Sequence, residues 1–168
     1  MAARADIRQV IDSILLVPKE PKGVVEWIET TQGNRRQTYP LLVDGEISDA
    51  TLTIICYPRE RVLKFRLVLS YGRAVWRVDY AFDEDHQNPF NKPENLPIGK
   101  IVDPHYHSWH DNRRFATAFT LPFKLYNANV LPANVRTFEN TFRWFCGQTN
   151  IVVPASGIPE LPRSDRLL

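Results

Sequence analysis

The stretch LKFRLVLSYGRAVWRVDYAF, residues 63–82, decides the fold. Leu63, Phe65, Leu67, Leu69 and Tyr71 alternate with Lys64, Arg66, Val68 and Ser70; beyond Gly72, Trp76, Val78, Tyr80 and Phe82 alternate with Val75, Arg77, Asp79 and Ala81. Successive side chains of a strand point to opposite faces, so the two runs predict a β-hairpin with one apolar and one polar face. Lys64, Arg66, Arg77 and Asp79 then share the polar face, a pattern that an ordinary solvated sheet surface also shows.

Upstream, GVVEWIET (23–30), RRQTYPLLV (35–43) and ATLTIICY (50–57) read as further strands, separated by the turn sequences QGN and DGEISD. At the N-terminus Ile7, Val10, Ile11, Ile14 and Leu15 recur at helical spacing until Pro18 stops the pattern. Downstream, the Pro- and Asn-rich stretch from Asp83 to Gly99 is a long loop, and GKIVDPHYHSW (99–109) returns as a strand. FATAFTLPF (115–123) is apolar, and a last helix covers VRTFENTFRWFC (135–146), with Asn134 as its N-cap, Phe138, Phe142 and Phe145 on one face, and Gly147 marking its end. The expectation is an α+β fold: a mainly antiparallel sheet of five to seven strands, an N-terminal amphipathic helix and a C-terminal aromatic-rich helix. Residues 1–153 form a single domain in this reading, and the Pro-containing tail 154–168 lies extended or disordered.

Composition limits the partners. The chain of 168 residues carries a net charge of +2 and 43% hydrophobic residues, a globular make-up with no run long enough for a membrane span. Its N-terminus lacks a basic-then-apolar leader, and Cys56 and Cys146 stand apart in apolar surroundings, so the expected compartment is cytoplasmic and the thiols reduced. Of 21 basic residues six are lysine and the remaining 15 arginine, a bias suited to phosphate contacts and base stacking, or one imposed by a GC-rich genome.

The chemistry concentrates just past the hairpin. All four histidines, His86, His105, His107 and His110, lie between Trp76 and Phe115. His105 and His107, two apart on a strand, project to one face about 7 Å apart, whereas His110 falls on the other side or in a turn. Three uses of this set follow. Metal-free cleavage of RNA needs an acid, a base and cations for the developing phosphorane charge: His105, His107 and His86 with Asp79 supply the catalytic groups, Arg77, Arg66 and Arg113 the phosphate contacts, and Tyr106 or Trp109 a stacking surface. A His-x-His pair with Asp79, Asp103 or His86 as third ligand could instead hold a divalent metal and serve a metal-dependent hydrolase. Structurally, the same histidines could bond across the sheet, with Asp79 ion-paired to Arg77 or Arg66. A non-catalytic binding or inhibitory module of a phage or mobile element, docking through the loop from Asp83 to Lys100, is a further alternative.

The order Arg77-x-Asp79, His86-x-Asn88-Pro89, Pro104-His105-x-His107, Phe115 and the segment Phe138 to Ile151 resembles small bacterial proteins with a D…HxNP…PHxH signature and, more distantly, the TumE-type toxin family of toxin–antitoxin systems. It spans roughly residues 60 to 151. The resemblance implies half of a toxin–antitoxin pair, a nuclease acting on RNA with an antitoxin as partner; the His acid/base chemistry itself calls for no cofactor, the His-x-His alternative for a divalent metal, and the binding-module alternative for a host protein or nucleic acid as partner.

Overall fold

The computed structural model describes residues 5–154 and 156–162. Helix α1 (Ile7–Leu16) starts where the Asp6 carboxylate accepts from the Arg8 backbone N–H at 2.9 Å, and it buries Ile11 completely. The strands follow in chain order: β1 (Glu20–Pro21), β2 (Ile28–Glu29), β3 (Arg35–Val43), β4 (Glu46–Cys56), β5 (Phe65–Tyr71), β6 (Arg73–Tyr80), β7 (His86–Gln87), β8 (Lys100–Ile101), β9 (His105–His107) and β10 (Asn129–Val130). A four-residue helix α2 (Trp109–Asn112) runs into a 3-10 turn at Arg113–Phe115, and helix α3 (Phe138–Thr149) closes the series. The chain is α+β with a mainly antiparallel sheet, as the sequence predicts.

The main sheet has the order β1-β3-β4-β5-β6-β9-β10, with β2 also paired to β3, and β7 and β8 form a separate ribbon. Four long neighbours, β3 to β6, carry it; short strands of two or three residues raise the count to eight at its two edges. DGEISD is shorter as a turn than its composition suggests. Asp44 and Gly45 take positive φ (51° and 80°), which closes a tight hairpin, and Glu46 already belongs to β4.

The apolar face holds the core. Leu52, Ile54, Phe65, Leu67 and Val78 are fully buried there, and Phe65 stacks on Tyr80 at 4.6 Å while meeting the edge of Phe138 at 5.0 Å. Trp76 lies between Tyr106 (5.3 Å) and Phe145 (5.4 Å), so α3 packs its aromatic stripe across β5, β6 and β9. Two helix ends differ from expectation. Thr137, not Asn134, caps α3, its hydroxyl accepting from the Asn140 N–H, because Val135 is engaged in a turn to Pro132 and the Arg136 carbonyl accepts from the Tyr80 hydroxyl. Gly147 lies inside the helix, which ends three residues later where Asn150 adopts the left-handed conformation at φ 53°.

Ile158 and Leu161 of the tail pack against the core, and the Glu160 carbonyl accepts from Trp27 Nε1 at 3.1 Å. The expected extended tail covers positions 155 and 163–168 as well, which lie outside the described residues. Among the described residues no helix is long and apolar enough to cross a membrane.

Candidate metal centre

Register sets the site. Antiparallel pairing places Arg66 opposite Asp79, and β6 pairs with β9 so that Asp79 faces His105 and Arg77 faces His107. Five side chains whose spacing placed them on polar faces therefore share one face, opposite the aromatic core. The β7–β8 ribbon and the segment around Tyr126 to Ala128 lie over this face. His86 arrives on β7, with ring centroids 5.5 Å from His105 and 4.8 Å from His107.

Each histidine commits one ring nitrogen to the main chain. His86 Nε2 donates to the Tyr126 carbonyl (2.9 Å), His105 Nδ1 to the Asp103 carbonyl (3.0 Å) and His107 Nδ1 to the Asn127 carbonyl (3.0 Å). A carbonyl only accepts, so these bonds fix the proton on those nitrogens and leave a lone pair on the other nitrogen of each neutral ring. One ligand nitrogen from each of His86, His105 and His107 lies within 4.8 Å of the others. A main-chain or carboxylate acceptor on the far nitrogen is the arrangement that metal-binding imidazoles use to set their tautomer and orientation.

Asp79 borders the trio. Its Oδ2 lies 3.2 Å from His107 Nε2 and 3.6 Å from His105 Nε2. Arg66 Nε donates to Asp79 Oδ1 and Arg77 Nε to Oδ2, both at 2.7 Å, and Arg77 Nη2 also donates to His107 Nε2 at 3.0 Å. Burial pushes the Asp79 carboxyl up, but the Arg77 and Arg66 guanidiniums, each donating to it at 2.7 Å, outweigh it and hold the group well below the usual carboxylate range. Burial drives the His107 imidazole down to about 4, Asp79 opposing and Arg77 reinforcing the shift, so the ring is neutral at physiological pH. His86 is lowered too, first by burial and then by the neighbouring His105.

His107 has 0% side-chain exposure and Asp79 and His105 only 3% and 4%. Solvent meets the cluster through half-buried His86 and through Arg66 and Arg77, whose side chains are 32% and 29% exposed. Positive charge at this rim is largely matched: Arg66 is also paired with Glu84, and Lys64 with both Asp83 and Glu84 at 2.9 Å.

His86, His105, His107, Asp79, Arg66 and Arg77 thus meet in one cluster. Tyr106 does not join them: it lies on the opposite face of β9, against Trp76 and Trp144. Arg113 is held by Asp12 of α1 through Nε and Nη2 at 2.8–3.0 Å, next to Trp109, whose Nε1 donates to the same carboxylate. His110 is exposed, and the Asp103 carboxylate is not among the contacts of the trio, its carbonyl serving instead.

Sequence reasoning missed the frame that aims the imidazoles. Asn127 is fully buried and its backbone N–H donates to Asn112 Oδ1 at 2.8 Å, while Asn88 Nδ2 and Oδ1 clamp the carbonyl (3.0 Å) and N–H (2.7 Å) of Ala128. The sequence carried little signal for it, because Asn127 stands in Lys124-Leu125-Tyr126-Asn127-Ala128-Asn129, a mixed stretch in which residue type alone does not mark burial. No family model, curated protein or solved structure matches the chain.

Proposed function

We propose that the protein is a divalent-metal-dependent hydrolase that acts on phosphodiester bonds of nucleic acid, with His86, His105 and His107 holding the ion. The observation that carries this reading is the gathering of one ring nitrogen from each of three histidines within 4.8 Å, with every ring oriented by a bond to a main-chain carbonyl. Three imidazoles leave a coordination position for water, whose acidity a bound ion raises toward neutrality. Asp79, whose Oδ2 lies beside His105 and His107 and whose low proton affinity keeps it an anion, would orient such a water rather than consume its proton. Arg66 and Arg77 at the rim suit the phosphoryl charge. Full burial of His107 also fits a ligand better than an acid or base that must touch a polymer.

A second reading keeps the site metal-free. In it the chain is a toxin-like endoribonuclease, as the resemblance to TumE-type toxins implies, and the chemistry of its own residues makes His105 and His107 the acid and base and Arg77 and Arg66 the grip on the scissile phosphate. The Arg66–Asp79–Arg77 bridge favours this version, since it delivers two guanidiniums to the histidine cluster without an ion.

Metal content of the purified protein, together with cleavage of RNA and of bis(p-nitrophenyl) phosphate with and without EDTA, separates them. The metal reading expects near-equimolar zinc, manganese or iron and an activity that EDTA removes and the ion restores. Cleavage indifferent to EDTA but lost in His105→Ala selects the metal-free reading, and protein that takes up no metal and cuts neither substrate rules out both.

A further inference from the structure

Arg77 occupies the place of a cation. Its Nη2 donates into His107 Nε2 at 3.0 Å, the lone pair a metal would need, and its Nε donates at 2.7 Å to Asp79 Oδ2, the carboxylate oxygen nearest the trio. Arg66 differs: its guanidinium is spent on the other carboxylate oxygen of Asp79 and on Glu84 rather than on a histidine of the site. One arginine therefore competes with an ion for its donors, and the other does not.

Charge gives the exchange a consequence. Arg66 and Arg77 balance Asp79 and Glu84 in this cluster, and Lys64 offsets the nearby Asp83. Adding a divalent ion to a neutral, mostly buried cluster leaves two uncompensated positive charges in a region of low dielectric, which favours an anion beside them. Arg77, displaced from His107, keeps a long side chain already 29% exposed and has solvent to move into.

We propose that Arg77 is a built-in competitor of the metal ion, and that loading the centre releases its guanidinium to bind a phosphodiester, so that ion and anion strengthen each other's binding. The idea rests on the metal reading above and adds to it an ordered coupling between metal and substrate class. Linkage makes the coupling reciprocal: whatever factor the ion adds to anion affinity, the anion adds to ion affinity.

Titration of the metal-free protein with cobalt(II), followed by its visible absorption, tests this with dimethyl phosphate as the anion. Without anion, Arg77→Met should bind cobalt at least about tenfold more tightly than the unaltered protein, while Arg66→Met, which also strips one partner from Asp79, should stay within about threefold. Dimethyl phosphate should tighten cobalt binding several-fold in the unaltered protein and leave Arg77→Met unchanged. Arg77→Gln, a second neutral variant, should behave as Arg77→Met does and serves if the methionine variant does not fold. Equal or weaker cobalt binding in a folded Arg77 variant overturns the competition, as does equal tightening in the Arg66 variant. Absence of stoichiometric cobalt binding in all of these proteins defeats the metal reading itself, a different result from the first two.

Discussion

Lys19 shows how a single residue can report on a buried environment. Its side chain is fully buried at the end of α1, where Nζ donates to the carbonyls of Ile14 (2.5 Å) and Val17 (2.8 Å), two of the groups that a helix C-terminus leaves without partners. Burial lowers its pKa from 10.5 to about 8. Below about pH 8 the amine is protonated in folded and unfolded chains alike, and the folded state bears the full penalty of a buried ammonium. Between about 8 and 10.5 the folded chain gives up a proton that the unfolded chain still holds, so stability rises with pH across that window, by on the order of 3 kcal/mol for a shift of this size. Urea unfolding of the parent and of Lys19→Met at several pH values from 7 to 10 isolates the effect, because the other titrating groups cancel in the difference. The parent should gain stability relative to Lys19→Met as pH rises; a difference that is flat with pH would mean that the amine is not held as the geometry indicates.

At the scale of elements, period-two alternation was enough to place Arg66, Arg77 and Asp79 on one face and His105 with His107 on another, and antiparallel pairing made the two faces the same one. Alternation fixes the side on which a residue lies, so this half of the site was legible in the order of residues alone. His86 was named as a candidate from its residue type, but its placement could not be derived, because it reaches the site on a two-residue strand paired with Ile101 across a loop that carries no periodic signal. Arg113 was misleading for the opposite reason: its neighbourhood in sequence is basic and aromatic, but a bidentate partner on α1, far away along the chain, takes its guanidinium to the helix side. Asn88 is what holds the ribbon over the sheet. Asn88→Ala removes the donor to the Ala128 carbonyl and the acceptor for its N–H, two backbone groups of a fully buried residue. With about 1–3 kcal/mol for each of the two buried groups left without a partner, the variant should lose roughly 2–6 kcal/mol. Amide exchange at Ala128 and in the β7–β8 ribbon should accelerate. Asn88→Asp keeps the acceptor and loses only the donor, so it should fall between; an alanine variant with unaltered stability and unaltered exchange at Ala128 would remove the clamp from the account.

Across the whole molecule the histidine cluster joins segments that meet only in the folded state: the ribbon through His86, the sheet through His105 and His107, and the run after α2 through the carbonyls of Tyr126 and Asn127. An unfolded chain presents no such set, so an ion bound here favours folding by mass action, about 2.7 kcal/mol at a free concentration one hundred times its dissociation constant. For a chain of this size each kcal/mol raises the melting temperature by about 2–4 °C, which gives an upward shift of roughly 5–10 °C on saturation with zinc. His86→Ala should abolish most of that shift, since two imidazoles on one strand bind far more weakly than three. Arg113→Ala serves as the contrast: its pair with Asp12 is 42% and 39% exposed, its loss should lower stability by under about 1 kcal/mol, and the zinc-induced shift should persist in full. Thermal unfolding of the three proteins with EDTA and with zinc reads all of this directly. A shift of equal size in His86→Ala would place the ion elsewhere on the chain, and would overturn the assignment of the ribbon as the element that completes the site.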